Sequence, residues 1–141
     1  MKITVTATRK GLTPPQLEAA DNILTVLKVT TVVHGAAHGG DTDLHKLAHE
    51  KGLMCSIYPA SEVPSNLNNL DVEGDVVFPP KPPLDRNKLM VDNSNVLVAF
   101  PAGTTEELRS GTWAAIRYAR KQHKTVYIVW PFGAVSIEGK N

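Results

Sequence analysis

The sequence predicts a single α/β domain with a Rossmann-like, doubly wound, mainly parallel sheet of about five strands and helices on both faces. Short runs rich in valine, isoleucine and threonine alternate with stretches whose apolar residues recur at helical spacing. Repeated strand–helix alternation is typical of a parallel sheet with right-handed crossovers. The chain has 141 residues, a common size for one domain. With 42% hydrophobic and 21% charged residues, it has the composition of a globular protein.

The strands are predicted from runs of β-branched residues, at residues 2–8, 30–34, 53–58, 95–100 and 125–130. The first helix begins after Thr13, a suitable N-cap. Pro14 then falls in the first turn, where a missing N–H group costs nothing. Leucine, isoleucine and alanine recur at helical spacing as far as Leu27, which gives this helix one apolar face.

The second helix is predicted to be capped by Asp41 or Thr42 and to end at Gly52, the residue after its C-cap. Two further helices are predicted over residues 84–92 and 111–122.

Three segments are predicted to lack regular structure or to lie at an edge. Residues 59–83 are rich in proline and asparagine, and we expect a long loop there. The sequence does not assign this loop a role; a lid over the ligand is one role that such a loop can have. Residues 101–110 form a second loop. The tail, residues 133–141, either adds an edge strand or hangs free.

Charge and cysteine content exclude several classes of function. A net charge of +1 lacks the basic excess of a nucleic-acid-binding protein, so no nucleic-acid partner is predicted. The one cysteine, Cys55, lies in an apolar run and is expected to be a buried, inert thiol. The N-terminus reads as a strand rather than a signal peptide, and no window approaches the roughly 20 apolar residues of a membrane span. We therefore expect a cytoplasmic protein with no membrane partner.

The loops at the carboxyl ends of the strands carry the candidate binding residues. Ligands of open parallel sheets bind at that edge, and glycine-rich turns before helix N-termini suit anions. A glycine after a strand can equally make only a tight turn, but three such loops at one edge favour a binding site. The residues we assign to it from these loops are Thr8, Arg9, Gly11, His34, Gly35, Gly39, Gly40, Asp41, Pro101, Arg109, Ser110, Gly111 and Thr112.

Arg86 and Asn87 are added because they begin a helix directly after the proline-rich loop. A guanidinium group binds phosphate or carboxylate oxygens in a bidentate manner; Arg9 and Arg109 are candidates for the same role. Asp85 or Asp92 could instead pair with Arg86 structurally. We expect the amides at two helix starts and the Arg86 guanidinium to converge on one anion-binding pocket.

Metal binding and catalysis have weaker support. His45 and His49 have the spacing of two zinc ligands on a helix, but residue 46 is a lysine where the protease motif has a glutamate. We predict no metal site and no cofactor. Ser110 and Thr112 lack a nucleophile elbow and suit helix capping or phosphate binding. Glu106 and Glu107 are either solvated charges or a general acid–base pair.

Five segments taken together resemble the SLOG superfamily, and within it the small YspA/YpsA-related proteins of bacteria and phages. They are residues 6–13 (TATRKGLT), 34–41 (HGAAHGGD), 85–87 (DRN), 109–113 (RSGTW) and 116–120 (IRYAR). This superfamily includes LOG phosphoribohydrolases, DprA-like proteins and sensor domains of antiphage defence. The resemblance implies a nucleotide-binding fold, a homo-oligomer, and phosphate and ribose held at the turn after the second strand and at Gly111 and Thr112. Arg86 would match the arginine that LOG enzymes place near the phosphoribosyl group.

The sequence departs from LOG enzymes at the catalytic glutamate. In those enzymes Gly-Thr is closely followed by a glutamate, whereas Gly111-Thr112 is followed by Trp113-Ala114-Ala115. Glu106 and Glu107 precede the helix and are out of register. The sequence thus favours a protein that binds a nucleotide or an ADP-ribose-like ligand, as a sensor or a sequestering protein, in phage-defence signalling. The alternative is a LOG-like hydrolase of nucleotide N-glycosidic bonds that uses Arg86 with Glu106 or Glu107.

Overall fold

Alternating strands and helices build one sheet, which a computed structural model describes for residues 1–62 and 75–139. The strands are β1 (Lys2–Ala7), β2 (Thr31–His34), β3 (Met54–Ile57), β4 (Val76–Val77), β5 (Val96–Phe100), β6 (Thr125–Val129) and β7 (Val135–Glu138). The helices are α1 (Pro14–Val26), α2 (Gly40–Glu50), α3 (Pro83–Asp92) and α4 (Gly111–Lys121).

The order of the strands places a crevice beside β1. The sheet runs β4-β3-β2-β1-β5-β6-β7; all neighbours are parallel except β6 and β7, which are antiparallel. From β1 the chain moves outward to β4, and α3 then carries it back to β5 on the other side of β1. Ligands of doubly wound sheets bind at such a reversal, beyond the carboxyl ends of the strands.

Side chains alternate between two apolar layers, as the period of two in a strand requires. On β1, Ile3 and Val5 pack with α1 and α2, through residues such as Leu24 and Leu44. The hydroxyl of Thr4 points the other way and donates to the Met90 carbonyl of α3 at 2.6 Å. On that face β5 and β6 pack against α4. Helices therefore cover both faces, as the sequence predicts.

The five predicted strands are confirmed. The sheet also has two short edge strands: β4, which was not predicted, and β7, which was one of two alternatives for the tail. β4, only two residues long, interrupts the predicted loop 59–83, and a further bridge pairs Ala60 with Lys81. Two residues are too few to show an alternating pattern. Residues 63–74 of that loop lie outside the described residues, and with them most of the segment considered as a lid. Of the two alternatives for the tail, the edge strand is correct, because β7 pairs with β6.

The helix starts are confirmed for α1 and wrong for α2. Thr13 caps α1 in a reciprocal capping box with Gln16, with Pro14 in the first turn. The cap of α2 is Gly39 rather than Asp41 or Thr42. Glycine readily adopts the backbone found there, with φ of 93° and ψ of −119°, so the chain turns into the helix earlier. Gly52 follows the C-cap with a φ of 72°, as predicted.

Candidate functional site

A cleft of about 270 Å³ lies at the crevice where the strand order reverses. Four segments line it: the end of β1 and its loop, the β2–α2 turn, α3, and the loop that leads into α4. Its lining residues are Thr6, Ala7, Thr8, Arg9, Lys10, Ala37, Asp41, Arg86, Asn87, Met90, Ala102, Glu107, Arg109, Ser110, Gly111 and Thr112.

Most of the predicted site residues meet in this cleft. Those that line it are Thr8, Arg9, Asp41, Arg86, Asn87, Glu107, Arg109, Ser110, Gly111 and Thr112. Those that do not are Gly11, His34, Gly35, Gly39, Gly40, Pro101 and Glu106. The first set joins segments far apart in the chain, so the edge of the sheet gathers the polar groups as expected.

The N-terminus of α4 is an uncompensated positive pole within the cleft. Ser110 caps the helix by accepting a hydrogen bond from the Trp113 amide at 3.3 Å. The amides of Gly111 and Thr112 precede any acceptor within the helix, and both residues line the cleft. The first turn has no acidic residue. An anion placed there would meet free N–H groups and the positive end of the helix dipole.

The N-terminus of α2 differs, because its first amide is hydrogen-bonded and its first turn is acidic. The Gly40 amide donates to the Thr8 carbonyl at 2.8 Å. Asp41 and Asp43 place two negative charges in the first turn, and Asp43 accepts from the Leu12 amide at 2.9 Å. Charges of this sign already complement the dipole. Of the two helix starts expected to hold phosphate, that of α4 is therefore the better suited to an anion.

Arg86 reaches across the cleft from α3 to the β2–α2 turn. Its Nη1 donates to the carbonyl oxygens of Gly35 at 3.0 Å and Tyr58 at 3.1 Å, and its Nε donates to Asn87 at 2.9 Å. Among the described residues Nη2 has no hydrogen bond, which leaves one edge of the guanidinium for a ligand. Burial lowers the pKa of Arg86, while the neighbouring Asp41 opposes that shift. Neither Asp85 nor Asp92 forms a salt bridge with it within the described part of the chain.

Asp41 is a buried carboxylate, with 6% of its surface exposed. Its Oδ2 accepts from the amides of Gly35 and Ala37, both at 3.2 Å. Its Oδ1 is also buried and has no hydrogen-bond partner among the described residues. Burial raises the pKa of Asp41 to about 6, although Arg86 and the two amides favour the charged form. The sequence assigned Asp41 to the binding site. It also named Asp41 as a candidate cap of α2, which is wrong because the cap is Gly39.

The predicted glycines lie beneath the cleft, where they permit close packing. A Cβ added at Gly35 would overlap the Arg86 guanidinium. At Gly39 it would overlap the backbone of Arg9, and at Gly40 the side chain of Ala7. These three positions bring the β2–α2 turn against the end of β1 and beneath Arg86.

His34 lies beneath the cleft in a hydrogen-bonded pair. Its Nδ1 accepts from the Ala36 amide at 3.0 Å, so its proton is on Nε2. Nε2 lies 2.9 Å from Nδ1 of His45 and donates to it. Burial and the neighbouring His45 and Arg86 lower the pKa of His34 to about 3, so it is neutral.

One cluster of metal-ligand atoms is found among the described residues. Donor atoms of His34, His45 and Cys55 lie within 4.8 Å of one another and are buried. Burial, with Asp75, raises the pKa of the Cys55 thiol to about 11, which disfavours the thiolate that a metal needs. The hydrogen bond between the two histidines already uses both facing nitrogens. The arrangement therefore fits a structural pair better than a metal centre.

The two loop glutamates have separate surroundings. Glu106 pairs with Arg117 at 2.8 Å and lies 3.9 Å from Arg120, away from the cleft. Glu107 lines the cleft beside Arg109. Only Glu107 is therefore placed to meet a ligand there.

Sequence reasoning missed Gln16, which organises the loop on one side of the cleft. It is 1% exposed, and its Nε2 donates to the carbonyls of Pro101 at 3.0 Å and Val129 at 2.9 Å. This explains why Pro101 is held below the cleft rather than in it. The available signal was its place three residues after Thr13, where a capping box needs glutamine or glutamate. The same reasoning also missed Thr6, Ala7, Lys10, Ala37, Met90 and Ala102 of the lining.

No protein-family model and no curated protein matches the sequence. Solved structures do match its fold. A molybdenum cofactor binding protein from Rippkaea orientalis superposes with a TM-score of 0.67 at 18% identity, covering 92% of this chain and 76% of its own. DNA processing protein A (DprA) from Streptococcus pneumoniae gives 0.65 at 16% identity, covering 90% and 49%. The molybdenum cofactor carrier protein from Chlamydomonas reinhardtii gives 0.59 at 23% identity, covering 90% and 75%.

The chain has the Rossmann-like fold of these proteins. The fold that the resemblance to the SLOG superfamily implied is therefore confirmed. None of the described helices is long and apolar enough to cross a membrane.

Proposed function

We propose that the protein binds a phosphate-bearing, nucleotide-type small molecule in this cleft, as a sensor or a sequestering protein. The observation that carries the proposal is the open N-terminus of α4, where Gly111 and Thr112 present amides with no acidic residue nearby in the helix. Basic side chains also outnumber acidic ones in the lining: Arg9, Lys10, Arg86 and Arg109 face only Asp41 and Glu107. This combination favours an anion with a polar body attached.

The size of the cleft favours a compact ligand. Its volume of about 270 Å³ lies near the lower end of small-molecule sites, roughly 300 Å³. A mononucleotide fits that size better than a larger molecule such as ADP-ribose. Two structural neighbours are described as binding or carrying a molybdenum cofactor, so a cofactor of that kind also belongs among the ligands to be tried.

A ligand panel tests the proposal. Purified protein is mixed with nucleoside 5′-monophosphates, ADP-ribose, the molybdenum cofactor and inorganic phosphate, and the melting temperature and the dissociation constant are measured. We expect at least one nucleotide-type ligand to raise the melting temperature. If neither phosphate nor any of the larger ligands binds, the proposal is wrong.

Arg86→Ala locates the binding. We expect roughly tenfold weaker binding, since a charged hydrogen bond is lost. The control is Arg120→Ala, which removes an arginine that pairs with Glu138 of β7 and does not line the cleft. Equal affinity in the Arg86 variant and the wild type would place the ligand elsewhere.

A LOG-like phosphoribohydrolase is the second candidate, and Glu107 is the observation that favours it. It lies in the same cleft as Arg86 and the α4 N-terminus, so a loop carboxylate accompanies the phosphate subsite. The bond broken would be the N-glycosidic bond, with water adding to the sugar and the free base leaving. Chromatography of the ligand panel after incubation separates the two candidates: a free base indicates hydrolysis, and binding without products indicates a sensor.

Three further features remain proposals that rest on the resemblance and on composition. They are assembly into a homo-oligomer, work in phage-defence signalling and a cytoplasmic location.

A further inference from the structure

We infer that Asp41 recognises a sugar hydroxyl of the bound molecule, which makes the ligand a ribonucleotide rather than a deoxyribonucleotide. This inference rests on the proposed function, because it assumes that a phosphate-bearing ligand occupies the cleft. It specifies that the β2–α2 turn, through Asp41, contacts the sugar of the ligand.

The first argument is the state of the Asp41 carboxylate. The residue is 6% exposed and its Oδ1 is buried. Within the described part of the chain only Oδ2 is hydrogen-bonded, by the amides of Gly35 and Ala37. Oδ1 has no partner among the described residues although the residue lines the cleft. A buried acceptor without a donor is unfavourable, and such groups call for an explanation. A donor on the ligand supplies it.

The second argument is that fold stability gives no reason for an unsatisfied carboxylate here. Asp41 is not the cap of α2, because Gly39 holds that position without any side-chain hydrogen bond. Asp43 already provides a negative charge in the same turn and has its own partner, the Leu12 amide. An asparagine at position 41 could accept from the same two amides with no buried charge. The hydrogen bonds of the turn therefore require an acceptor at position 41, but not a second negative charge in addition to that of Asp43.

The third argument concerns which group of the ligand meets Asp41. A carboxylate accepts hydrogen bonds and repels phosphate, so the phosphate belongs at α4 rather than here. Asp41 follows β2 and α4 follows β5, with β1 between them. Two strand spacings of about 4.8 Å separate these ends. In a 5′-nucleotide the sugar hydroxyls lie one ribose ring away from the phosphate, which matches the separation of the two strand ends. The base extends beyond the sugar.

Arg86 makes the arrangement chemically consistent. It lies close enough to Asp41 to influence its charge, and its guanidinium is fixed by the Gly35 carbonyl at 3.0 Å. Gly35 thus joins the two residues: its amide bonds Asp41 and its carbonyl bonds Arg86. The pair offers a ligand one charged acceptor and one charged donor in the same cleft. Dinucleotide-binding sheets of similar topology also use an acidic side chain near the second strand for a ribose hydroxyl.

Matched ligands test the inference. For the nucleoside monophosphate that binds best, dissociation constants are measured for the ribonucleotide and for its 2′-deoxy and 3′-deoxy forms. We expect the wild type to bind one of the deoxy forms at least about tenfold more weakly, in line with loss of a hydrogen bond to a charged group. Asp41→Asn, which keeps an acceptor for the two amides, should reduce that ratio to below about threefold.

Two controls make the outcome decisive. Asp43→Asn changes the neighbouring charge, which does not line the cleft, and should keep the wild-type ratio. Inorganic phosphate should bind Asp41→Asn at least as well as the wild type, because a negative charge has been removed. Equal binding of ribo and deoxy forms by the wild type, or an unchanged ratio in Asp41→Asn, overturns the inference while the proposed function stands. If the wild type binds neither phosphate nor any nucleotide, both are wrong.

Discussion

Arg86 lies directly over Gly35: its Nη1 donates to the Gly35 carbonyl at 3.0 Å, and a Cβ added at position 35 would occupy the space of the guanidinium. The glycine thus holds the arginine in the cleft through its carbonyl and admits it through its missing side chain. A residue that does not line the cleft thereby sets the position of Arg86, a cation that does.

Gly35→Ala should weaken ligand binding without unfolding the protein. The added methyl group meets only the far end of a flexible side chain, so Arg86 can move away at little cost in stability. We expect a melting temperature close to that of the wild type and a dissociation constant raised about tenfold, as for a lost charged hydrogen bond. Gly103→Ala is the control, because a Cβ there meets nothing within 4 Å. Unchanged affinity in Gly35→Ala would show that Arg86 need not occupy its present position.

Gly39→Ala should instead destabilise the fold. Gly39 has a φ of 93°, and its Cβ would overlap the backbone of Arg9, which cannot swing away. Gly52→Ala serves as the comparison, since Gly52 has a φ of 72° but open space around it. The backbone conformation alone costs roughly 1–2 kcal/mol, and overpacking adds roughly 1–3 kcal/mol at Gly39. Urea unfolding of both variants should show the larger loss for Gly39→Ala; equal losses would contradict the steric argument.

These glycines show where the sequence stops being informative. The signals that are local in the chain were sufficient: Thr13 and Pro14 mark the start of α1, and the alternation in Lys2–Ala7 marks a buried strand. A glycine beside a strand end, by contrast, looks the same whether it admits a phosphate or a neighbouring backbone. What lies opposite Gly39 is set by contacts across the sheet, which no local pattern encodes.

Asp41 shows the same limit for a polar residue. Aspartate near a helix start predicts a cap, and that prediction is wrong because Gly39 starts the helix two residues earlier. The gathering of Asp41, Arg86 and Thr112 in one cleft was predictable, since carboxyl ends of parallel strands share an edge. One oxygen of Asp41 has no partner within residues 1–62 and 75–139. That depends on the fold of the β2–α2 turn and could not be predicted.

Asp41→Asn should raise stability near neutral pH. The folded protein holds the Asp41 proton more tightly than the unfolded chain, since its pKa rises from 3.8 to about 6. Its contribution to stability is therefore fully present below about pH 4 and is lost as the pH rises to about 6. The variant escapes this loss, which is at most about 3 kcal/mol. Urea unfolding between pH 4.5 and 7.5 measures the difference in free energy of unfolding between the variant and the wild type. This difference should increase up to about pH 6.5 and stay constant above it. An advantage that is independent of pH would contradict the raised pKa.

His34→Gln should make the free energy of unfolding less dependent on pH in the acid range. The pKa of His34 falls from 6.5 in the unfolded chain to about 3 in the folded protein. Stability is therefore fully present above pH 6.5 and is lost as the pH falls towards about 3, because the unfolded chain takes up the proton first. Glutamine can donate to His45 but does not titrate. Acid unfolding followed by circular dichroism should start at lower pH in the variant, provided that its stability at pH 7.5 is close to that of the wild type. An unchanged midpoint would show that other groups control acid unfolding.

Glu107→Gln and Glu106→Gln separate the two proposed functions at the level of single carboxylates. Glu107 lines the cleft, whereas Glu106 is held outside it by Arg117 at 2.8 Å. If the wild type releases free base from a nucleotide, Glu107→Gln should slow that release by at least about a hundredfold, the usual scale for a general acid or base. Glu106→Gln should leave the rate of release within about twofold, because an exposed ion pair contributes little.

If the wild type releases no base, both variants should bind the ligand nearly as well as the wild type, with Glu107→Gln slightly tighter because one negative charge beside the phosphate is gone. Comparable loss of base release in both variants would mean that the loop conformation, rather than the carboxylate in the cleft, controls the reaction.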